Sequence, residues 1–297
     1  MSRPAIPLFD SHAHFFTNDF ERYPINIAGA LEGEEALRKR LEENPATDAF
    51  MLGVWDQCGV VGGTAVQYNQ VYKTDNRYTI DVADLHPDRI TAVLLVPAAK
   101  PETPEWLRET SAAHNIAGIR LFGFPDGDDF PWLDSPAALK TWDVAAELGL
   151  AVDLMFVPGD VAPRALPRIQ RLAERYPETP VVLDHCGWPI PGADPQAAFG
   201  EAHHALASQP NIYFKYTQVN VRRLSPHGMD MARFLRTVVD LMGPERTMWG
   251  SDYGNTPATY PQSVEAALAA SVHLDEAERK VVLHDTGRRI FGAAPRR

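Results

Sequence analysis

The stretch "IPLFDSHAHFF", residues 6–16, decides how the rest of the chain is read. An apolar run enters it, and two histidines, His12 and His14, follow with one residue between them. On a strand, residues i and i+2 face the same side, so the two imidazoles project together, with Asp10 on that face two residues earlier. A lone His-x-His is most often an accidental surface pair. At the end of a buried strand it can instead hold a metal ion or a pair of proton-handling groups. The stretch also lacks the glycine-rich turn that a doubly wound sheet carries after its first strand.

Seven further short apolar runs follow: "GTAVQYN", "ITAVLLVP", "IAGIRLF", "LAVDLMFVP", "PVVLDHCG", "NIYFKYT" and "RTMWGSD". Each is bounded by turn residues. Between most of them lie segments with three- and four-residue apolar spacing, such as "SPAALKTWDVAAELG" and "MDMARFLRTVVDLMG", as helices require. From the second run onward the repeat is about 30 residues, the length of a strand–helix unit. Eight such units imply an α/β (β/α)8 TIM barrel, read as one domain over residues 1–297. The first connection, residues 15–63, is unusually long. It holds a helical pattern at "GEEALRKRLEEN" and the glycine-rich "CGVVGG". In a barrel it lies at the face where active sites form, so it either covers the pocket or is a plain insertion.

The 28 Lys and Arg against 39 Asp and Glu give a net charge of −11. No basic cluster interleaved with aromatics is present, which argues against nucleic-acid binding. No run of about 18 apolar residues suggests a membrane span, and the first residues do not read as a signal peptide. Cys58 and Cys186 are too few and too far apart for a disulfide framework. A cytoplasmic location is the expectation; oligomeric state cannot be read.

In a barrel, polar groups at the C-terminal ends of strands converge. Those ends supply His12 and His14, then Gln67, Tyr68 and Asn69, then Arg120, Asp184 with His185, Lys215 with Tyr216, and Ser251 with Asp252. The third and fifth ends are apolar and read as structural. His185 alone could be a satisfied core histidine, Arg120 a buried ion-pair partner and Asp252 a turn cap. Three histidines and an aspartate on one face carry more weight together. Either the imidazoles and Asp252 bind a divalent metal that acidifies water, or the histidines polarise a carbonyl while Asp252 takes a proton from water. A serine nucleophile fits less well, because "WGSDYG" is not a Gly-x-Ser-x-Gly elbow. Trp106 and Trp142 read as core, His203 and His204 as packing or solvent-facing, and Cys186 as turned away from the pocket.

"FDSHAH", "LDHCGWP" and "MWGSDYGNTP" together resemble the amidohydrolase superfamily, most closely the amidohydrolase-2 group that includes 2-pyrone-4,6-dicarboxylate lactonases and sugar lactonases. "VQYNQVYKTDNRY" and "GIRLFG" are similar to the second- and fourth-strand segments of the dicarboxylate lactonases. The resemblance implies lactone hydrolysis, with His12, His14 and His185 polarising the carbonyl. Asp252 would activate water and return its proton to the leaving oxygen. It further implies that Arg120 and Arg222 clamp a carboxylate of a small-molecule substrate, with Tyr68 and Gln67 orienting it. Arg222 reads equally well as a solvated loop charge. The fifth strand, "AVDLMFVP", carries neither the histidine nor the lysine of binuclear relatives, nor a tyrosine to hold substrate. One zinc or manganese ion on His12, His14 and Asp252, with or without His185, is compatible with the pattern. The expectation inclines to no metal, since lactonases of this branch can work without one. The alternative activity is a metal-dependent non-oxidative decarboxylase of an aromatic or muconate-type acid; a binding protein that kept the barrel is the third reading.

Overall fold

The computed structural model describes residues 6–292. Eight parallel strands form one sheet in sequential order, β1 Leu8–Ala13, β2 Val60–Val66, β3 Ile90–Leu95, β4 Ile116–Phe122, β5 Ala151–Met155, β6 Val181–Leu183, β7 Ile212–Thr217 and β8 Thr247–Gly250. The last strand returns to the first: Asp252 N–H donates to His12 O at 2.7 Å and His14 N–H to Tyr253 O at 3.1 Å. Helices alternate with the strands around the outside. The fold is a (β/α)8 TIM barrel, as the strand–helix repeat implies.

Each of the eight apolar runs contains a strand. β2 starts earlier than its sequence suggests, because Gly62 and Gly63 lie inside the strand rather than in a loop. At Gly63 a Cβ would strike the Asp10 carbonyl of β1 and the Trp55 ring. On the other flank of β1, a Cβ at Gly250 would stand 2.5 Å from the His12 Cβ. Glycine at these two places lets both neighbours close onto the histidine-bearing strand.

The helix Glu34–Glu43 of the long first connection buries Leu37 and Leu41. The following helix, Asp48–Cys58, is capped by the Thr47 hydroxyl and ends at left-handed Gly59. Trp142 is fully buried, while Trp106 is 37% exposed, so its reading as core is corrected. It lies in Thr103–Ala113, a helix whose buried face carries Leu107 and Thr110 instead. Among the described residues no helix is long and apolar enough to cross a membrane.

Candidate active site

β1 delivers His12 and His14 to the top of the barrel and the turn after β8 delivers Asp252; all three are buried. Asp10 fixes this junction. Its carboxylate accepts bonds from Ser251 N–H at 2.8 Å, the Ser251 hydroxyl at 2.6 Å, the Tyr260 hydroxyl at 2.8 Å and His12 N–H at 3.1 Å. Asp252 itself has φ 51, in the left-handed region that non-glycine residues seldom occupy. Such a conformation costs about 1–2 kcal/mol and persists only where the surroundings over-determine it. The turn places its Oδ1 3.3 Å from both His12 Nε2 and His14 Nε2.

The protons in this triangle can be assigned in part. His14 Nδ1 lies 2.9 Å from Val66 O, which can only accept, so Nδ1 carries the proton and Nε2 presents a lone pair. His12 Nδ1 is bordered by the Asp184 carboxylate at 3.0 Å and the Lys215 ammonium at 3.3 Å, the carboxylate being nearer. With Nδ1–H toward Asp184, His12 Nε2 is also a lone pair. Neither His12 Nε2 nor Asp252 Oδ1 has a hydrogen-bond partner, although both are buried. Lone pairs from three buried atoms facing one another call for a cation between them, either a proton or a metal ion.

The electrostatics agree with that demand. Burial opposes charge on His12, yet Asp184 and Asp252 beside it raise its pKa above the usual histidine value. Burial also works against ionised Asp252, but the His12 and His14 contacts hold it far below the usual carboxylate range. His12, His14 and Asp252 each offer one donor atom within 4.8 Å of the others. Two imidazoles and a carboxylate are a donor set that suits zinc or manganese. The residues therefore fit a single divalent ion, and the expectation of a metal-free site finds no support in this arrangement.

His185 enters from β6 by a different device. The strand stops at Leu183, and His185 and Cys186 both take left-handed backbone angles in the turn that follows. Asp184 and His185, which a regular strand would send to opposite faces, are thereby both buried at the barrel's top. His185 Nδ1 is 2.7 Å from the Thr217 hydroxyl, and Asn220 Nδ2 donates to its carbonyl at 2.8 Å. Burial lowers the His185 pKa to about 4, so the ring is neutral at ordinary pH. Cys186 is buried against the Lys215 carbonyl, and burial raises its thiol pKa well above the ordinary value.

Below the histidines runs a buried charge network. Arg120 donates to Asp184 Oδ2 through Nε at 3.0 Å and Nη2 at 2.6 Å. Lys215 Nζ meets Asp153 Oδ2 at 2.5 Å and Asp184 Oδ1 at 3.5 Å. Sequence reading treated the fifth strand as structural, yet its Asp153 belongs to this network. A charged residue in the middle of "AVDLM" is the signal that could have exposed it.

The profile of the amidohydrolase family matches residues 9–293. The chain belongs to the amidohydrolase family. It is 29% identical over 193 residues to an L-fucono-1,5-lactonase of Burkholderia ambifaria, a match that covers 64% of this chain and 64% of that enzyme's length. Among solved structures, a Pseudomonas putida protein assigned as a 2-pyrone-4,6-dicarboxylic acid hydrolase superposes with TM-score 0.74 and 24% identity, over 99% of this chain and 100% of its own. A dihydroxybenzoic acid decarboxylase from Polaromonas sp. JS666, with bound manganese and an inhibitor, superposes with TM-score 0.68 and 14% identity over 96% of this chain and 97% of its own. These likenesses to solved structures concern the fold.

The remaining sequence-predicted groups of this amidohydrolase are largely committed to other contacts. Gln67 gives its amide to Lys73 O and Asp75 O and accepts from the Thr79 hydroxyl, so it braces the loop after β2. Tyr68 stacks on His14 with ring centroids 4.6 Å apart, and its hydroxyl bonds Gly254 O and Arg40. Arg40 comes from the long first connection and also donates to Gly254 O at 2.8 Å, so this segment is fastened over the barrel mouth beside Asp252. Arg222 is exposed. Its neighbour Arg223, in the same helix Gln218–Leu224, lies 5.1 Å over the Trp188 ring, which in turn packs 4.9 Å from His185. Adjacent helix residues point about 100° apart, so Arg223 lies against Trp188 while Arg222 turns to solvent. Among the described residues, Arg223 Nε is buried without a hydrogen-bond partner.

Proposed function

We propose that this amidohydrolase opens a lactone of a small carboxylic or sugar acid by adding water to the ring carbonyl. The observation that carries the reading is the meeting of His12 Nε2 and His14 Nε2 on Asp252 Oδ1 at 3.3 Å each, with His12 Nε2 and Asp252 Oδ1 buried and without a hydrogen-bond partner. The lactonase relative supports the same direction.

A zinc or manganese ion held by His12, His14 and Asp252 would lower the pKa of water and draw on the carbonyl oxygen. Asp252, kept ionised by its histidine neighbours, takes the proton as the water oxygen forms its bond to the carbonyl carbon. When the ring C–O bond breaks, that proton passes to the leaving oxygen and yields the open hydroxy acid. His185, neutral and held by Thr217, donates no net charge and serves to orient the carbonyl. Arg223 supplies the recognition of an anionic substituent: its guanidinium has a free donor beside the His185–Trp188 pair. Arg120 is tied to Asp184, the carboxylate that faces His12 Nδ1.

Two results are expected. Purified protein loaded with zinc or manganese hydrolyses members of a panel of sugar lactones and carboxylate-bearing lactones. Chelation removes the activity, and readdition of the ion restores it. Carbon dioxide release from a dihydroxybenzoate, with every lactone left intact, would replace this reading by decarboxylation. Arg223→Ala should raise KM for anionic lactones roughly 10- to 100-fold, the worth of one charged hydrogen bond, and leave neutral sugar lactones nearly unchanged. Equal effects on both classes would remove Arg223 from substrate recognition.

A further inference from the structure

A second group of metal-capable atoms lies below the first. His12, Asp153 and Asp184 each present a donor atom within 4.8 Å of the others, all buried. Asp153 Oδ1 has no hydrogen-bond partner, and Asp184 Oδ1 faces His12 Nδ1 at 3.0 Å. Two buried carboxylates and an imidazole would ordinarily invite a divalent cation. Here that space contains the end of Lys215.

We infer that Lys215 is a built-in cation that fills a second metal position and limits the site to one ion. Its Nζ lies 2.5 Å from Asp153 Oδ2, 3.3 Å from His12 Nδ1 and 3.5 Å from Asp184 Oδ1, touching all three members of the group. The Phe291 ring supports the ammonium from 4.8 Å on another side. Lys215 is fully buried in β7, so the ammonium has no solvent to withdraw into. A divalent ion entering between these ligands would meet a fixed positive charge at bonding distance, and the two cannot share the space. The same placement leaves the outward nitrogen of His12 to the upper site. Lys215 is thus a positioning residue: it satisfies the inner carboxylates by charge while His12 serves one ion only. The inference rests on the proposed metal reading for the identity of the upper ligand, but its test does not require that reading to hold.

The test measures manganese stoichiometry and the electron paramagnetic resonance spectrum of the whole protein, wild type against Lys215→Ala and Lys215→Gln. Wild type is expected to saturate at one ion with an isolated-manganese spectrum. The folded variants should gain one further equivalent with the exchange-coupled spectrum of two neighbouring manganese ions. Adding Asp153→Asn to Lys215→Ala should take the second equivalent away. A folded variant that binds no more manganese than wild type overturns the inference. So does a wild type that takes two ions and loses one on Asp153→Asn, a measurement that stands even if the lysine variants do not fold. A wild type that binds none would sink the metal part of the proposed function alone. Gain of an ion by the variants over that wild type would still support the role of Lys215.

Discussion

Asp252→Asn lowers lactone turnover by roughly 10³-fold or more, with little change in secondary structure or solubility. The side chain keeps its size, so the turn after β8 and the Asn255 contact at 3.2 Å can be retained. What disappears is the negative charge that faces His12 Nε2 and His14 Nε2 at 3.3 Å. In the proposed mechanism that carboxylate takes the proton of the attacking water and helps hold the cation. Loss of a positioned base alone is worth roughly 10²–10⁴-fold, and loss of a ligand adds to it. Metal content should fall together with kcat, whereas far-ultraviolet circular dichroism should not change. A variant that retains turnover within tenfold of wild type would mean that Asp252 is a structural turn residue, and another base would have to be sought.

Asp10→Ala should destabilise the protein by about 3–5 kcal/mol, because it orphans two buried donors of Ser251 and the hydroxyl of Tyr260 at once. For a chain of this size that corresponds to a drop in Tm on the order of 10 °C. Asp10→Asn keeps one acceptor oxygen and should lose less. Asp10 touches no atom of the proposed reaction, yet it links β1 to the turn that aims Asp252. Activity at low temperature should therefore fall further than the residual folded fraction explains. A melting curve within about 2 °C of wild type would show that water replaces the carboxylate, and that the junction does not depend on it.

Much of this molecule was legible in the sequence because its signals are local. A strand buried on both faces reads as a short apolar run. A helix packed on one side reads as three- and four-residue spacing. The eight runs located eight strands, and strand-end polarity singled out His12, His14, His185 and Asp252 as neighbours. The limits of β2 were misread because glycine signals a turn in a sequence, whereas at Gly62 and Gly63 it serves close approach between strands. Asp153 stands out as a lone charge in an apolar strand, but its partner Lys215 is 62 residues away in the chain, so the sequence marks the residue without giving its role. Which of the adjacent Arg222 and Arg223 lies against Trp188 depends on the rotation of a helix about its axis, which residue identity along the chain does not give.

Residue order along the chain was enough for the barrel, for the strand ends that carry its polar groups and for the family to which the chain belongs. Periodicity and residue type are properties of neighbours along the chain, and they need no third dimension. Which partner each polar group meets came from the fold in three dimensions. It gave Arg120 to Asp184 and Gln67 to a loop. It gave His185 and Asp252 left-handed backbone, which their residue types tolerate better than most but do not by themselves dictate. It also put Lys215 where a second cation would otherwise go. Those assignments depend on which partner lies within hydrogen-bond reach once distant strands close into a ring, and in a buried site that proximity sets charge, tautomer and role.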